Sequence, residues 1–187
     1  MAGRILIACI LLLATAGELE AKEVGGVDLP EVLRVDPHEL VLNGAGLRKK
    51  FFIKVYAGAL YLTEKNSQAG EIIDADEPMA IRLHFIYDGV SAEDLVKAWN
   101  EGFDAATGGD PGPLEERIKA FNALFVQSAQ KGDVYDFIYM PEQGVQVVLE
   151  GETVKVIPGL DFKKALFAIW LGEKPADSGL KKGMLGE

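Results

Sequence analysis

Apolar and polar residues alternate over residues 51–62, a pattern typical of a β-strand whose two faces have different surroundings. One face would carry Phe51, Ile53, Val55, Ala57, Ala59 and Tyr61, and the other Phe52, Lys54, Tyr56, Gly58, Leu60 and Leu62. Shorter apolar stretches predict further strands over residues 39–43, 79–87, 133–140, 145–149 and 153–157. The short connections between the last three predict hairpins, which pair strands antiparallel.

Apolar residues recur with helical spacing in three other segments. The first segment begins at Ser91, which suits the N-cap position with Asp94 at the capping-box position, and it ends near residues 108–109. The second follows Pro113, and the third begins near residue 159 and ends at Gly172, a predicted C-cap. A last short helix is predicted over residues 180–185.

The predicted elements follow the order strands, helices, hairpins and helix, without regular alternation of strand and helix. This order favours an α+β fold, in which an antiparallel β-sheet carries a layer of helices packed on one face. Residues 43–46 (Asn-Gly-Ala-Gly) are predicted to form a turn, since glycine readily adopts positive φ. Residues 24–37 are polar and punctuated by proline, with room for one short strand. No internal repeat divides the chain, so we expect a single domain over residues 24–187.

The N-terminus has the pattern of a secretory signal peptide. A short segment with one positive residue precedes an unbroken apolar run over residues 5–13, and Ala14-Thr15-Ala16 offers small residues for cleavage. We expect cleavage after Ala16, with Ala21 as the later alternative, and a mature protein that is periplasmic or secreted. The other interpretation is a buried N-terminal strand or helix. Cleavage would also remove Cys9, the single cysteine, so the mature chain could form no disulfide.

The composition excludes several classes of function. The chain has 187 residues, 49% of them apolar, and a formal net charge of −10. An acidic chain is a poor partner for nucleic acid and for anionic membrane surfaces, and the apolar run is too short to span a bilayer. We therefore expect neither nucleic-acid binding nor stable membrane insertion; the oligomeric state stays open.

Few residues suit metal or cofactor chemistry. The two histidines, His38 and His84, are predicted to be structural or to face solvent. Together with one cysteine they are too few for the usual zinc or iron–sulfur sites. No phosphate loop, nucleophile elbow or dinucleotide fingerprint is present in the sequence. No metal or cofactor is therefore predicted.

One pair of residues suggests a binding site. Arg48 precedes the strand over residues 51–62, and Tyr56 lies eight positions further on. Because eight is an even number, both side chains would emerge on the same face if the strand is continuous. A guanidinium and a phenol that point into an apolar cleft would suit a carboxylate. The alternative is an arginine at the rim that donates to backbone carbonyls, and an amphipathic tyrosine in the core.

The same segment resembles the chalcone isomerase fold family. Residues 44–48 (Gly-Ala-Gly-Leu-Arg) match the family's GAG-x-R motif, and residues 54–62 match the strand that follows it. Residues 171–173 (Leu-Gly-Glu) with Leu180-Lys181 resemble the end of the last core helix, and residues 93–103 fit more loosely. The resemblance implies an antiparallel sheet layered with helices, in agreement with the fold predicted above.

The resemblance also implies a changed site. Plant chalcone isomerases cyclise a chalcone to a flavanone and use an Arg, a strand Thr, a helical Tyr and Asn, and a late Thr. Only the Arg is retained, as Arg48, and the other positions fall at Tyr56, at or near Asp94 and Glu101, and at Ile169. Carboxylates and an isoleucine cannot replace the hydroxyl and amide donors that stabilise a developing enolate. We therefore expect no chalcone isomerase activity.

The combination of Arg48 and Tyr56 instead resembles the non-catalytic, fatty-acid-binding branch of the family, in which such a pair holds the ligand carboxylate. The signal peptide and a shorter hairpin resemble exported bacterial members. The resemblance thus implies an exported binding protein for a small apolar carboxylate. Trp99, Phe103 and Ile169 are candidate lining residues of its cleft.

Two alternatives stay open. The first is an isomerase or lyase of unknown substrate, in which Arg48 is the electrophile and Asp94 or Glu101 the base. It requires burial in an apolar cleft to raise the pKa of one of these carboxyls, and it fails if both face solvent. The second is a structural or interaction protein whose cleft is filled by its own side chains.

Overall fold

The computed structural model describes residues 21–187 and contains one large antiparallel sheet. The first two strands, β1 (Ala21–Val24) and β2 (Val27–Pro30), form a separate hairpin. The other strands pair in chain order, so each large-sheet strand lies next to its neighbours in sequence. They are β3 (Val32–Val35), β4 (His38–Lys50), β5 (Ile53–Leu62), β6 (Met79–Phe85), β7 (Val134–Met140), β8 (Gly144–Leu149) and β9 (Glu152–Ile157).

The helices lie between and after these strands. They are α1 (Ala69–Asp74), α2 (Ala92–Thr107), α3 (Glu115–Asn122), α4 (Leu160–Leu171) and α5 (Ser178–Met184), with a 3-10 turn over Gly112–Leu114. As predicted, Ser91 caps α2: its Oγ accepts a hydrogen bond from Asp94 N (3.0 Å). Gly108 ends the helix in the left-handed conformation. None of these helices combines the length and hydrophobicity that a membrane crossing requires.

Each face of the large sheet carries a buried core. On one face the helices bury a cluster of aromatic rings, in which Trp99 lies with its centroid 6.0 Å from Phe121 and 5.8 Å from Trp170. On the other face the β1–β2 hairpin buries Val27 and Leu29 against the sheet. The predicted α+β fold with helices on one face is confirmed. Residues 24–37, which were expected to hold one short strand, instead contain β2, β3 and the last residue of β1. The β1–β2 hairpin covers the second face of the sheet.

Residues 43–46 do not form the predicted turn, because they lie inside β4. A register shift marks a bulge at Asn43, whose Nδ2 donates to Met184 O in α5 (2.8 Å). A Cβ added at Gly183 would lie 2.6 Å from Ala45 O. The glycines here allow α5 to pack directly on the backbone of β4. The prediction was wrong because glycine serves close packing as well as turns.

The other predicted elements are present, with shifted ends. The strand predicted over residues 51–62 begins at Ile53, because residues 51–52 form the loop between β4 and β5. The strand predicted over residues 79–87 ends at Phe85. Helix α1 was not predicted, since it has six residues of which only Ile72 is buried, too few to produce a helical pattern.

Candidate functional site

A cleft of about 420 Å³ opens beside the β4–β5 hairpin, between the sheet and α2. Its volume falls within the range of small-molecule sites, roughly 300–1,000 Å³. The sheet supplies Arg48, Tyr56 and Phe85, while α2 supplies one long side and α4 supplies Ile169. Because the cleft is open, the alternative in which the protein's own side chains fill it is not supported.

Arg48 and Tyr56 meet at this cleft by a route different from the predicted one. Arg48 lies on β4 and Tyr56 on β5, and the two are directly opposite partners in the antiparallel ladder. The chain reverses between them in the two-residue loop that joins Lys50 to its partner Ile53. The condition under which the shared face was expected, one continuous strand through both residues, is therefore not met. The side chains still share a face, because directly opposite residues in paired strands point to the same side.

The Tyr56 hydroxyl is positioned to donate a hydrogen bond. The side chain is buried, and the indole N–H of Trp170 donates to Tyr56 Oη (2.9 Å). The hydroxyl proton is therefore free for a second partner. Burial raises the pKa of Tyr56 to about 12, against the smaller opposing effects of the Trp170 hydrogen bond and the Arg48 charge. The phenol is thus neutral at physiological pH.

Arg48 is held at the rim of the cleft by local contacts. Its Nη1 donates to Lys49 O (2.6 Å) and lies 3.7 Å from Oδ2 of Asp177. The hydrogen bond to a backbone carbonyl is the structural role considered for this arginine from the sequence. Both of these contacts use Nη1, and Arg48 also interacts with the Tyr56 hydroxyl through a side-chain hydrogen bond that lowers the pKa of Tyr56.

Asp177, which the sequence did not suggest as a site residue, connects Arg48 to α5. Its carboxylate caps the helix by accepting hydrogen bonds from Gly179 N and Leu180 N (2.8 and 3.0 Å). Burial alone would raise the pKa of Asp177, but hydrogen bonds from Leu180, Lys49 and Gly179 and the Arg48 charge outweigh it and lower the pKa below 3.8. An aspartate before a short helix is a readable N-cap signal. Its approach to Arg48 is a tertiary contact that no local pattern indicates.

The mouth of the cleft carries more positive than negative charge. The basic residues that line the cleft are Arg48, Lys50, Lys97 and Lys174, and the acidic ones are Asp94 and Glu101. This local excess contrasts with the net charge of −10 for the whole chain. It favours an anionic group at the mouth.

The two carboxylates considered as a catalytic base are both exposed on α2. Asp94 also accepts a hydrogen bond from Ser91 Oγ (2.8 Å), so it belongs to the helix cap. The isomerase or lyase alternative requires one of these groups to be buried in apolar surroundings. The structure buries neither Asp94 nor Glu101.

The inner wall of the cleft is apolar. Trp99 and Ile169 line it, as the sequence suggested, together with Val55, Phe85 and Leu95. Ile169 contributes aliphatic surface to this wall. The wall therefore suits a hydrocarbon group.

Phe103 does not line this cleft, so its place among the candidate lining residues was wrong. Its ring packs against Phe121 and Phe162, with centroid distances of 5.6 and 5.7 Å. The cleft-facing side of α2 includes Gly102, and the next residue lies about 100° further round a helix. This rotation turns Phe103 away from the cleft and towards the aromatic core.

Neither histidine lines the cleft. The pKa of His84 is lowered by partial burial and by the nearby Arg82 charge, so its imidazole is neutral at physiological pH. Within residues 21–187, His, Cys, Asp and Glu side chains form no group of three that could hold a metal ion.

Comparison with known proteins places the fold in a family. A family model described as "Chalcone isomerase-like" matches residues 21–186. The chain belongs to this family. It is also similar in structure to AtFAP1, a fatty-acid binding protein of Arabidopsis thaliana, with a TM-score of 0.68 and 19% sequence identity; the match covers 86% of this chain and 92% of that one. At 19% sequence identity, this structural similarity shows the fold alone. No curated protein matches the sequence.

Proposed function

We propose that this chalcone isomerase-like protein is a non-catalytic binding protein for a small apolar carboxylate, such as a fatty acid. The observation that carries the proposal is the pairing of Arg48 with Tyr56 at the positively charged mouth of an apolar cleft. A cation and a hydroxyl donor followed by apolar walls match an amphiphile with an acidic headgroup. The name of the Arabidopsis thaliana neighbour supports the same ligand class.

The headgroup would bind between the two donors. Its carboxylate would accept hydrogen bonds from the Arg48 guanidinium and from Oη of Tyr56. Hydrogen bonds to charged groups contribute about 1.5–3 kcal/mol each. The contact of Arg48 Nη1 with Lys49 O would keep the guanidinium in place, so the structural role of Arg48 and its role in binding are compatible.

The hydrocarbon tail would lie along Trp99 and Ile169. Each methylene group removed from water there would contribute about 0.8 kcal/mol. The cleft offers no buried base, because Asp94 and Glu101 are exposed, and Ile169 supplies no donor. These features support binding without catalysis.

Displacement of a fluorescent fatty acid tests this proposal, with palmitate and hexadecanol as competitors of equal chain length. We expect palmitate to compete better than hexadecanol, because only palmitate carries the carboxylate. Arg48→Gln should weaken palmitate binding about tenfold or more, the equivalent of one charge-assisted hydrogen bond. Arg34→Gln is the matched control, since Arg34 pairs with Glu39 on the exposed edge of the sheet. Absence of palmitate binding, or equal binding by both variants, would overturn the proposal.

We also propose export of the protein, to the periplasm or outside the cell. Support comes from the apolar run and small residues near the N-terminus, which lie outside the described residues. Intact-mass measurement of the protein recovered from its host tests this. A chain that begins at Gly17 or Lys22 supports cleavage and export, whereas a retained N-terminal segment contradicts it.

A further inference from the structure

The β4–β5 hairpin ends in an exposed tip that is both basic and aromatic. This hairpin tip comprises residues 49–54, with the sequence Lys-Lys-Phe-Phe-Ile-Lys. Phe51 is 87% exposed, Phe52 is fully exposed and Ile53 is 44% exposed. Tyr87 is exposed close to them, because its backbone N–H donates to Val55 O (3.1 Å). Exposed apolar side chains grouped in this way mark an interaction surface.

The phenylalanine at position 51 is not explained by the turn that it forms. Phe51 has a φ of 57° in a two-residue hairpin loop, a conformation that favours glycine. Glycine would form the same loop with less steric conflict. The aromatic ring is therefore present at a cost to folding, which is typical of functional positions.

We propose that the hairpin tip docks on the surface of an anionic lipid membrane. The rings of Phe51 and Phe52 would enter the interface, while Lys49, Lys50 and Lys54 would face the lipid headgroups. Aromatic rings beside lysines are the combination found at membrane interfaces. A projecting hairpin end also fits a deformable surface better than a preformed protein pocket.

The acidic net charge of the chain does not oppose this contact, because charges are screened over about 8–10 Å at physiological ionic strength. The headgroups would respond mainly to the three lysines of the hairpin tip. Docking of this kind is peripheral and differs from stable insertion. From the net charge alone, we expected the chain to bind anionic membranes poorly. The three lysines of the hairpin tip make such binding favourable at this one place.

The docking proposal rests on the hairpin tip alone and not on ligand binding in the cleft. The two sites are nevertheless adjacent, since Lys50 belongs to the hairpin tip and also lines the cleft. Docking would therefore place the mouth of the cleft beside the membrane.

Tryptophan fluorescence of a Phe52→Trp variant of the full chain tests the docking directly. Trp99 and Trp170 are buried, so a tryptophan at the exposed position can be distinguished from them. With vesicles of phosphatidylcholine and phosphatidylglycerol, we expect a blue shift of its emission and quenching by brominated lipid. Vesicles of phosphatidylcholine alone should require on the order of a hundredfold more lipid, because the three lysines lose their anionic partners.

Val156→Trp is the matched control, because Val156 is also exposed, at 43%, but lies on the edge strand β9, four strands away from β5. Its emission should not respond to vesicles. In the Phe52→Trp background, replacing Lys49 and Lys54 by Gln should raise the lipid requirement about thirtyfold. These two substitutions leave Lys50, which lines the cleft, unchanged.

Three results would overturn the docking proposal. The first is an unchanged emission of Phe52→Trp with anionic vesicles, even if the chain binds them through another region. The second is an equal response of the Val156→Trp control. The third is a blue shift that depends on protein concentration without lipid, which would assign the hairpin tip to a contact between two copies of the chain.

Discussion

Asp177→Asn should strengthen carboxylate binding, because it removes the negative charge that faces Arg48 from within the protein. The two groups lie 3.7 Å apart, with 26% of the Arg48 and 18% of the Asp177 side chain exposed. Such a charge pair is worth about 1 kcal/mol in water and about 4 kcal/mol at an effective dielectric constant of 20. Since solvent reaches both groups, we expect a gain of about 1 kcal/mol, or about fivefold in Kd.

The substitution is chosen to keep the cap of α5. Asparagine and aspartate are comparable N-cap residues, and the amide oxygen can still accept from Gly179 N and Leu180 N. Asp177→Ala removes the charge and the cap together, and loss of a cap costs about 1 kcal/mol of stability. Both variants should bind palmitate more tightly, but only the alanine variant should lose this capping stability.

The assay is displacement of a fluorescent fatty acid by palmitate, in the wild type, Asp177→Asn, Arg48→Gln and the double variant. The gain should disappear in the Arg48→Gln background, because no cation remains for Asp177 to compete for. An unchanged or weaker palmitate affinity in a folded Asp177→Asn protein would refute the reasoning. So would an equal gain in both backgrounds.

Asp177→Asn should also change how the stability of the protein depends on pH in acid. The pKa of Asp177 is lowered in the folded protein relative to 3.8. Its ionised form therefore contributes stability that is present above the unfolded-state pKa and is lost as the pH falls through the folded-state value. Urea denaturation as a function of pH should show a shallower loss of stability in acid for Asp177→Asn than for the wild type.

Three further predictions concern the hairpin tip, the core and the cleft. Phe51→Gly should raise the free energy of unfolding by up to about 1 kcal/mol, because glycine adopts the φ of 57° without steric conflict; a lower urea midpoint would contradict this. Lys163→Met should lower the free energy of unfolding by about 3 kcal/mol. The buried Nζ of Lys163 donates hydrogen bonds to three backbone carbonyls, at 2.8, 2.9 and 2.7 Å. The substitution leaves these carbonyls without a partner, and each unsatisfied buried group costs roughly 1–3 kcal/mol. Lys164→Met is its control and should change stability by no more than about 0.5 kcal/mol, since it removes one exposed pair with Asp74; equal urea midpoints for the two lysine variants would count against the reasoning. Each added methylene of a fatty acid should tighten Kd about fourfold until the cleft is full, whereas displacement independent of chain length would show that the tail lies elsewhere.

The faces of β5 from Tyr56 onwards could be predicted because burial on a sheet follows a period of two. Val55 was placed wrongly on the face of Ala57, because a register shift next to Arg48 leaves Val55 unpaired and it packs against the core under the helices. Tyr56, Leu60 and Leu62 lie in the core under the helices, and Ala57 and Ala59 lie in the core on the other face. The cap of α2 was also predictable, since it depends on residues close together in the chain. These elements share local causes that a sequence displays directly.

The β4–β5 turn could not be predicted in the same way. Residues 50–53 (Lys-Phe-Phe-Ile) contain none of the turn-forming residues Gly, Asn, Asp or Pro, so the alternation appeared to continue through the loop. The glycines of residues 43–46 are explained only by their contact with α5, far away in the chain. By contrast, Gly25-Gly26 between two valines is a hairpin signal that was available and was missed.

The register of one hairpin determines both proposed sites. Four of the chain's 19 basic residues lie within residues 48–54. Arg48 is the partner of Tyr56 within the paired part of the hairpin, on the face that lines the cleft, whereas Phe51 and Phe52 lie beyond the last pair. A change at the loop therefore leaves the Arg48–Tyr56 pairing intact, and a change at Arg48 leaves the exposed rings in place. The two activities should consequently be separable by substitution although they occupy the same hairpin, and the loop variants should bind palmitate normally in lipid-free solution.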